Sequence, residues 1–319
     1  MTTAEIQLDE LIDGFAKFKQ AIGCSYESQI YYLHSFREFC KSRGCRDIPG
    51  KSEFVEWAKL RPEEQPQTQR TRISPVRQLY LYMFDTGLEV GFVLPKMIGV
   101  KGEKYRPHFL REEEINHFFN ACDNLKVRKE NPCREVILPV AFRLMYCCGL
   151  RPIETIRLKS DDVNLQEGYI DIIDSKCHNN RRLFITKELT GYLSDYSKYI
   201  GSIWPLHEYF FPKGTSGHYF KHYLSDNFKK IWRSLDIAND SGRVRLYDVR
   251  HHFAFANINR WFREGKDANT MVAYLSRFMG HTSLECTYYY IHLVPDFYGD
   301  YTNSVKSLSA LLPEVEYED

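Results

Sequence analysis

The sequence predicts a mainly α-helical chain with one small β-sheet, arranged as two domains. Three observations predict this. The first hundred residues hold four stretches of helical spacing and no convincing strand. Residues 91–106 (GFVLPKMIGVKGEKYR) combine glycine, proline and four Lys or Arg with little periodicity, and read as a linker. Beyond it, apolar helical runs surround only two short stretches rich in β-branched residues.

Taken in order, residues 4–22 place Ile6, Leu8, Leu11, Ile12, Phe15, Phe18 and Ile22 on one stripe, and Gly23 ends it. A second helix runs from Ser25, an N-cap candidate, to Arg43, with Leu33, Phe36 and Phe39 apolar; Gly44 and the Asp47–Gly50 turn close it. Phe54, Val55, Trp57 and Leu60 mark a short third helix stopped by Pro62. The fourth spans Thr68 to Phe84 and shows Arg70, Arg72 and Arg77 on its polar side, with no acidic residue between Glu64 and Asp85. Such a helix can lie against DNA phosphates, or it can be an ordinary solvated face. The domain boundary falls near residue 106: the first domain is 1–105, with its basic linker and Lys101 and Lys104, and the second is 106–319.

In the second domain REEEINHFFNAC opens a helix with acidic residues in its first turn. Val136 to Cys148 is a buried helix stopped by Gly149. Tyr169–Ile173 and Arg182–Thr186 form two strands joined by the polar loop SKCHNNR. Further helices cover 189–200, 219–235, 248–262 and 269–279, and a modest amphipathic one covers 301–312 before an acidic tail.

With 319 residues and 43% apolar content the chain can bury a sizeable core. Its net charge of +1 does not announce a nucleic-acid binder, so any DNA footprint must come from local clusters of Lys and Arg. No apolar run is long enough to span a bilayer, and the acidic N-terminus is unlike a signal peptide. Nine scattered cysteines without CxxC pairs point to a reducing cytoplasm, with no structural metal and no cofactor.

The chemistry-bearing segments are three. Arg151 in GLRPIE sits at a glycine turn just after a buried helix, displayed at a fixed place. Arg250 lies in YDVRHH, between Tyr247 and the pair His251–His252. In SRFMGHTSLECTYYYIHLV, His281 follows a glycine and precedes Tyr288, Tyr289 and Tyr290, then His292. Lys176 falls in the predicted hairpin loop, with Arg181 and Arg182 beside it; such a lysine can donate a proton if neighbouring cations lower its pKa.

Together these segments resemble the active site of the tyrosine recombinases, the phage-type integrase family that includes the Xer proteins and the integrases of mobile elements. CGLRPIE is similar to the segment carrying the family's first catalytic arginine. Lys176, 25 residues after Arg151, falls where the family places its catalytic lysine. MGHTSL matches the family's glycine–histidine segment, and the family's tyrosine stands nine residues after that histidine, which selects Tyr290. One position departs: the family pattern H-x-x-R has Tyr247 in the histidine's place. A phenol can donate to a phosphate oxygen but is a poor proton acceptor near neutral pH. Tyr247 is therefore read as positioning the phosphate, and His251 or His252 stays open as a substitute base.

The resemblance implies a four-helix SAM-like core-binding domain followed by a catalytic domain of the DNA breaking-rejoining enzyme fold. It implies a catalytic set of Tyr290, Arg151, Arg250, Lys176, His281 and Tyr247. It further implies double-stranded DNA as substrate, a homotetramer on DNA, room for accessory DNA-bending proteins, and location with the nucleoid. In the first domain it rests only on helix lengths, the loose T-x-x-R-x-S-x-x-R-Q stretch from Thr68 to Gln78 and the basic linker. Three tasks fit: recombination for a mobile element, a topoisomerase IB-like or chromosome-dimer-resolving role, and non-catalytic DNA binding.

Overall fold

Apolar spacing translates directly into helices in the computed structural model, which describes residues 8–24, 26–45, 48–88, 107–173, 180–215, 217–236 and 244–291. The chain divides into two compact units, Met1–Tyr105 and Arg106–Asp319.

The first unit holds α1 (Leu8–Ala21), α2 (Glu27–Ser42), α3 (Lys51–Ala58) and α4 (Pro66–Asp85). The second helix begins after Tyr26, which adopts a left-handed conformation (φ 54°) and donates its hydroxyl to Gln78 on α4; the expected cap Ser25 lies outside the described residues. Phe36 anchors the core, with edge contacts to Phe54, Trp57 and Tyr80 at ring separations of 5.8, 5.1 and 6.3 Å.

One expectation is overturned here. Arg72 does not sit on a polar, DNA-facing side of α4. Its side chain is 2% exposed, pairs with Glu64 at 2.7 Å, donates to the carbonyls of Trp57 and Lys59, and lies 4.7 Å over the Trp57 ring. The carboxylate eight residues earlier folds back over the start of the helix and takes this arginine inward. Arg70 remains exposed and Arg77 half-buried. Lys101 and Lys104 lie outside the described residues.

The second unit is built around α6 (Arg134–Cys148), whose Ile137, Leu138, Ala141, Leu144 and Met145 are buried. Packed around it are α5 (Glu112–Asp123), α8 (Lys187–Ile203), α9 (Tyr223–Arg233) and α10 (Leu246–Arg263). A three-stranded antiparallel sheet runs in the order β1 (Val163–Asn164), β2 (Tyr169–Ile172), β3 (Arg181–Phe184), with Ile170 opposite Leu183 and Ile172 opposite Arg181. The five-residue α7 (Pro152–Ile156) and the short β1 add to the elements read from periodicity. A smaller apolar cluster joins α10 to α11 (Ala268–Met279) and α12 (Glu285–Ile291), and Tyr290 belongs to it. The segment 301–312 lies outside the described residues.

Arg72→Ala leaves the Glu64 carboxylate buried without its charge partner, at a cost of about 3–5 kcal/mol. The expected outcome is loss of hydrogen-exchange protection across α1–α4 of the full chain; unchanged protection would contradict the burial of this pair.

Candidate active site

Three arginines from three parts of the chain end on the same helix terminus. Arg181 Nε donates to the Phe278 carbonyl at 2.7 Å, Arg250 Nη2 to Met279 at 2.6 Å and Arg151 Nη2 to Gly280 at 2.6 Å. These are consecutive carbonyls at the end of α11. The last carbonyls of a helix have no intrahelical donor and carry its negative partial charge, so they suit cations. Arg250 also donates to the Gly149 carbonyl at the end of α6.

Glu154 holds two of the three together. It accepts from Arg151 Nη1 at 2.6 Å and from Arg181 Nη1 and Nη2 at 3.1 and 2.9 Å, and its other contact is the Arg151 backbone N–H. Burial alone would push this carboxyl up, but the two guanidiniums outweigh it and hold its pKa below the usual carboxylate value. The capping arrangement arises locally: Arg-Pro-Ile-Glu places the carboxylate three residues after the N-cap.

Two glycines make the close approach feasible. Gly149 (φ 60°) ends α6 where a Cβ would lie 2.5 Å from the Phe253 ring. Gly280 (φ 65°) ends α11 where a Cβ would lie 2.7 Å from Arg181 Nη1. His281 follows at once, its N–H bonded to the Ser276 carbonyl at 2.9 Å, as in a Schellman closure.

The aromatic side of the site comes from α10 and α12. The Tyr290 phenol lies 3.0 Å from His251 Nδ1, and its ring stacks on His281 with centroids 6.1 Å apart. His281 Nδ1 bonds Thr287 Oγ1 at 2.6 Å. Tyr247 is 45% exposed, and its ring lies tilted beside that of His251 with centroids 6.2 Å apart. Burial, then the charge of Arg151, lowers the Arg250 pKa to about 10. Burial, then Arg250, lowers His251 to about 4, and His281 falls to about 4 for the same two causes, with Arg151 and Arg181 adding to it. The centre is thus a cationic pocket with neutral imidazoles, suited to an anionic group.

Of the residues singled out from sequence, the structure gathers Arg151, Arg181, Arg250, His281 and Tyr290, with Tyr247 at the rim. Arg181 is not a loop contact pointing to solvent; its side chain is 6% exposed and braces Glu154. Arg182 faces the other side of the sheet, paired with Asp171 at 2.7 Å and lying 3.7 Å over the Tyr169 ring. Lys176 and His292 fall outside the described residues. Sequence reasoning missed Glu154 as the brace, although its spacing from Arg151 was a capping signal. A cleft of about 410 Å³ opens beside the site, lined by Arg181, Arg277, His281 and Ser283 among others.

The depressed histidines fix a pH dependence. Their folded values of about 4 lie below the ordinary 6.5, so between those limits the unfolded chain binds more protons. Stability of this unit is full above pH 6.5 and falls as pH drops towards 4. Thermal midpoints across that range should decline, and His281→Asn should flatten the decline; a level midpoint down to pH 4 would contradict the burial.

The comparisons with known proteins agree on one family. The model of the phage integrase family matches residues 108–296, more than half of the chain. Among curated relatives, the tyrosine recombinase XerD of Listeria innocua is 21% identical over 301 residues, covering 90% of this chain and 95% of the relative. The tyrosine recombinase XerC of Chlorobaculum parvum is 23% identical over 248 residues, covering 72% and 70%. Among solved structures, the XerH site-specific recombinase bound to a palindromic difH substrate matches with a TM-score of 0.63 at 14% identity, covering 94% of this chain and 97% of that one. The Tn1549 transposon integrase in complex with transposon right end DNA matches at a TM-score of 0.60 and 12% identity, covering 89% and 94%. The fold they share is the one described above, and the chain belongs to the phage integrase family.

Proposed function

We propose that this chain is a site-specific DNA recombinase that cleaves and rejoins strands through a 3′-phosphotyrosyl intermediate on Tyr290, in the service of a mobile element. The observation that carries the reading is the set of guanidiniums held on consecutive carbonyls of α11, with the Tyr290 phenol and the His281 ring alongside.

The chemistry follows from charge. A phosphodiester resists nucleophiles because it is anionic. Arg151 and Arg250 supply paired donors to its non-bridging oxygens and to the charge that builds at pentacoordinate phosphorus. His281 adds another donor, and Tyr247 at the rim positions the phosphate. Tyr290 attacks phosphorus and Lys176 protonates the departing 5′ oxygen. The bond energy is kept in the phosphotyrosine, so a second 5′ hydroxyl can reverse the step without ATP. The family setting supports a tetramer on two duplexes: one matched structure is a lambda integrase tetramer bound to a Holliday junction. Arg70 and Arg77 on α4, Lys101, Lys104 and Arg182 are the candidates for phosphate contacts away from the scissile bond.

The test uses a nicked suicide duplex carrying the DNA that flanks this reading frame. Wild type should form a covalent protein–DNA adduct and Tyr290→Phe none; an adduct from Tyr290→Phe refutes the assignment. Arg250→Ala should slow adduct formation by about 10²–10³, the size of a lost transition-state donor. Tyr247→Phe should cost less, and the reverse order would remove Tyr247 from the site. Duplex binding should weaken steeply between 50 and 200 mM salt through counterion release, with a flat response contradicting broad phosphate contact.

A further inference from the structure

The geometry points to His251 as the general base that takes the proton from the Tyr290 phenol. This inference rests on Tyr290 being the nucleophile. It fills the role left open by Tyr247, which stands where the family pattern has histidine.

Three observations carry it. The first is position: His251 Nδ1 lies 3.0 Å from the Tyr290 oxygen, within reach for direct proton transfer. The second is enclosure: Tyr290 is 4% exposed, so bulk water has little access to its proton. The third is the helix repeat. Tyr247 and His251 are four residues apart on α10 and share one face, so an acceptor absent at the first position can be supplied one turn along. Tyr247 is itself a phenol, and a neutral hydroxyl is a poor proton acceptor. His281 Nδ1 is engaged by Thr287 Oγ1 at 2.6 Å.

The groups facing His251 favour a neutral, accepting imidazole. Arg250 precedes it on α10, Tyr247 lies one turn back, and Tyr290 approaches from α12, with His281 behind that ring. Burial, then Arg250, lowers its pKa to about 4. A bound phosphate anion raises that value, but even at the ordinary 6.5 the imidazole is mostly unprotonated above pH 7. The role requires the tautomer with its proton on Nε2.

The phenolic O–H of Tyr290 breaks as its oxygen bonds phosphorus, and the proton passes to His251 Nδ1, giving an imidazolium. The bond from phosphorus to the 5′ oxygen breaks, and that oxygen takes a proton from the general acid. In rejoining, the 5′ hydroxyl gives its proton back to the now deprotonated general acid as its oxygen attacks phosphorus, the phosphotyrosine bond breaks and the imidazolium returns its proton to the Tyr290 oxygen.

The experiment is single-turnover adduct formation against pH on a duplex whose scissile link carries a 5′-bridging sulfur. That leaving group needs no proton, so the profile reports the nucleophile's activation alone. The wild-type rate should not rise between pH 7 and 9. His251→Gln, retaining duplex binding in a gel shift, should be about 10²–10⁴-fold slower at pH 7. Its rate should climb about tenfold per pH unit as the Tyr290 phenolate becomes populated. A His251→Gln rate within threefold of wild type and level with pH overturns the inference. So does a Tyr247→Phe enzyme that gains the climbing profile while His251→Gln stays level. If His251→Gln does not fold, the wild-type profile decides: a tenfold rise per unit places no base on the phenol. An adduct formed by Tyr290→Phe on the same duplex fails the nucleophile assignment instead, so the two failures are told apart.

Discussion

The end of α11 is the constraint on which the site depends. Three cationic side chains would not gather in a partly buried pocket without a counterpart. Here that counterpart is a run of backbone carbonyls, Phe278, Met279 and Gly280, each accepting from a different guanidinium. A helix C-terminus offers such acceptors with fixed direction and negative partial charge. Glu154 adds one full negative charge and ties Arg151 to Arg181. Burial, and after it the charge of Arg151, still lowers the pKa of Arg250, and three guanidiniums face a single carboxylate. An excess of positive charge held by rigid partners is what an anionic transition state needs, because the donors do not reorganise when the charge develops.

This arrangement makes chemistry and fold inseparable. Arg151 comes from the turn between α6 and α7, Arg181 from β3, Arg250 from α10 and Tyr290 from α12, and all meet around one terminus. Gly149 and Gly280 set the two close approaches, and each adopts a left-handed conformation that a side chain would strain while also filling needed space. Tyr290 belongs to the apolar cluster of α10, α11 and α12, so the packing that stabilises those helices also aims the nucleophile.

Much of this was legible in the sequence. The four N-terminal helices, the buried helix ending at Gly149 and the two longer strands follow from apolar spacing and glycine stops. The arginine, histidine and tyrosine segments were singled out by their resemblance to the motifs of the tyrosine recombinases. What was not legible depended on tertiary partners. Arg72 reads as surface charge until Glu64 and the Trp57 ring are seen to enclose it. Arg181 reads as a loop residue, yet strand alternation puts it on the same face as buried Leu183, while Arg182 and Phe184 face out. The bond between His251 and Tyr290 spans 39 residues and required the packing of α10 against α12.

The most direct measurement is the chemical identity of the DNA attachment point. Trapped protein–DNA complex is digested with protease and nuclease, and the peptide bearing the nucleotide is sequenced by mass spectrometry. The account predicts a phosphotyrosine at Tyr290. A nucleotide on Tyr288, Tyr289 or any residue away from the end of α11 would contradict it.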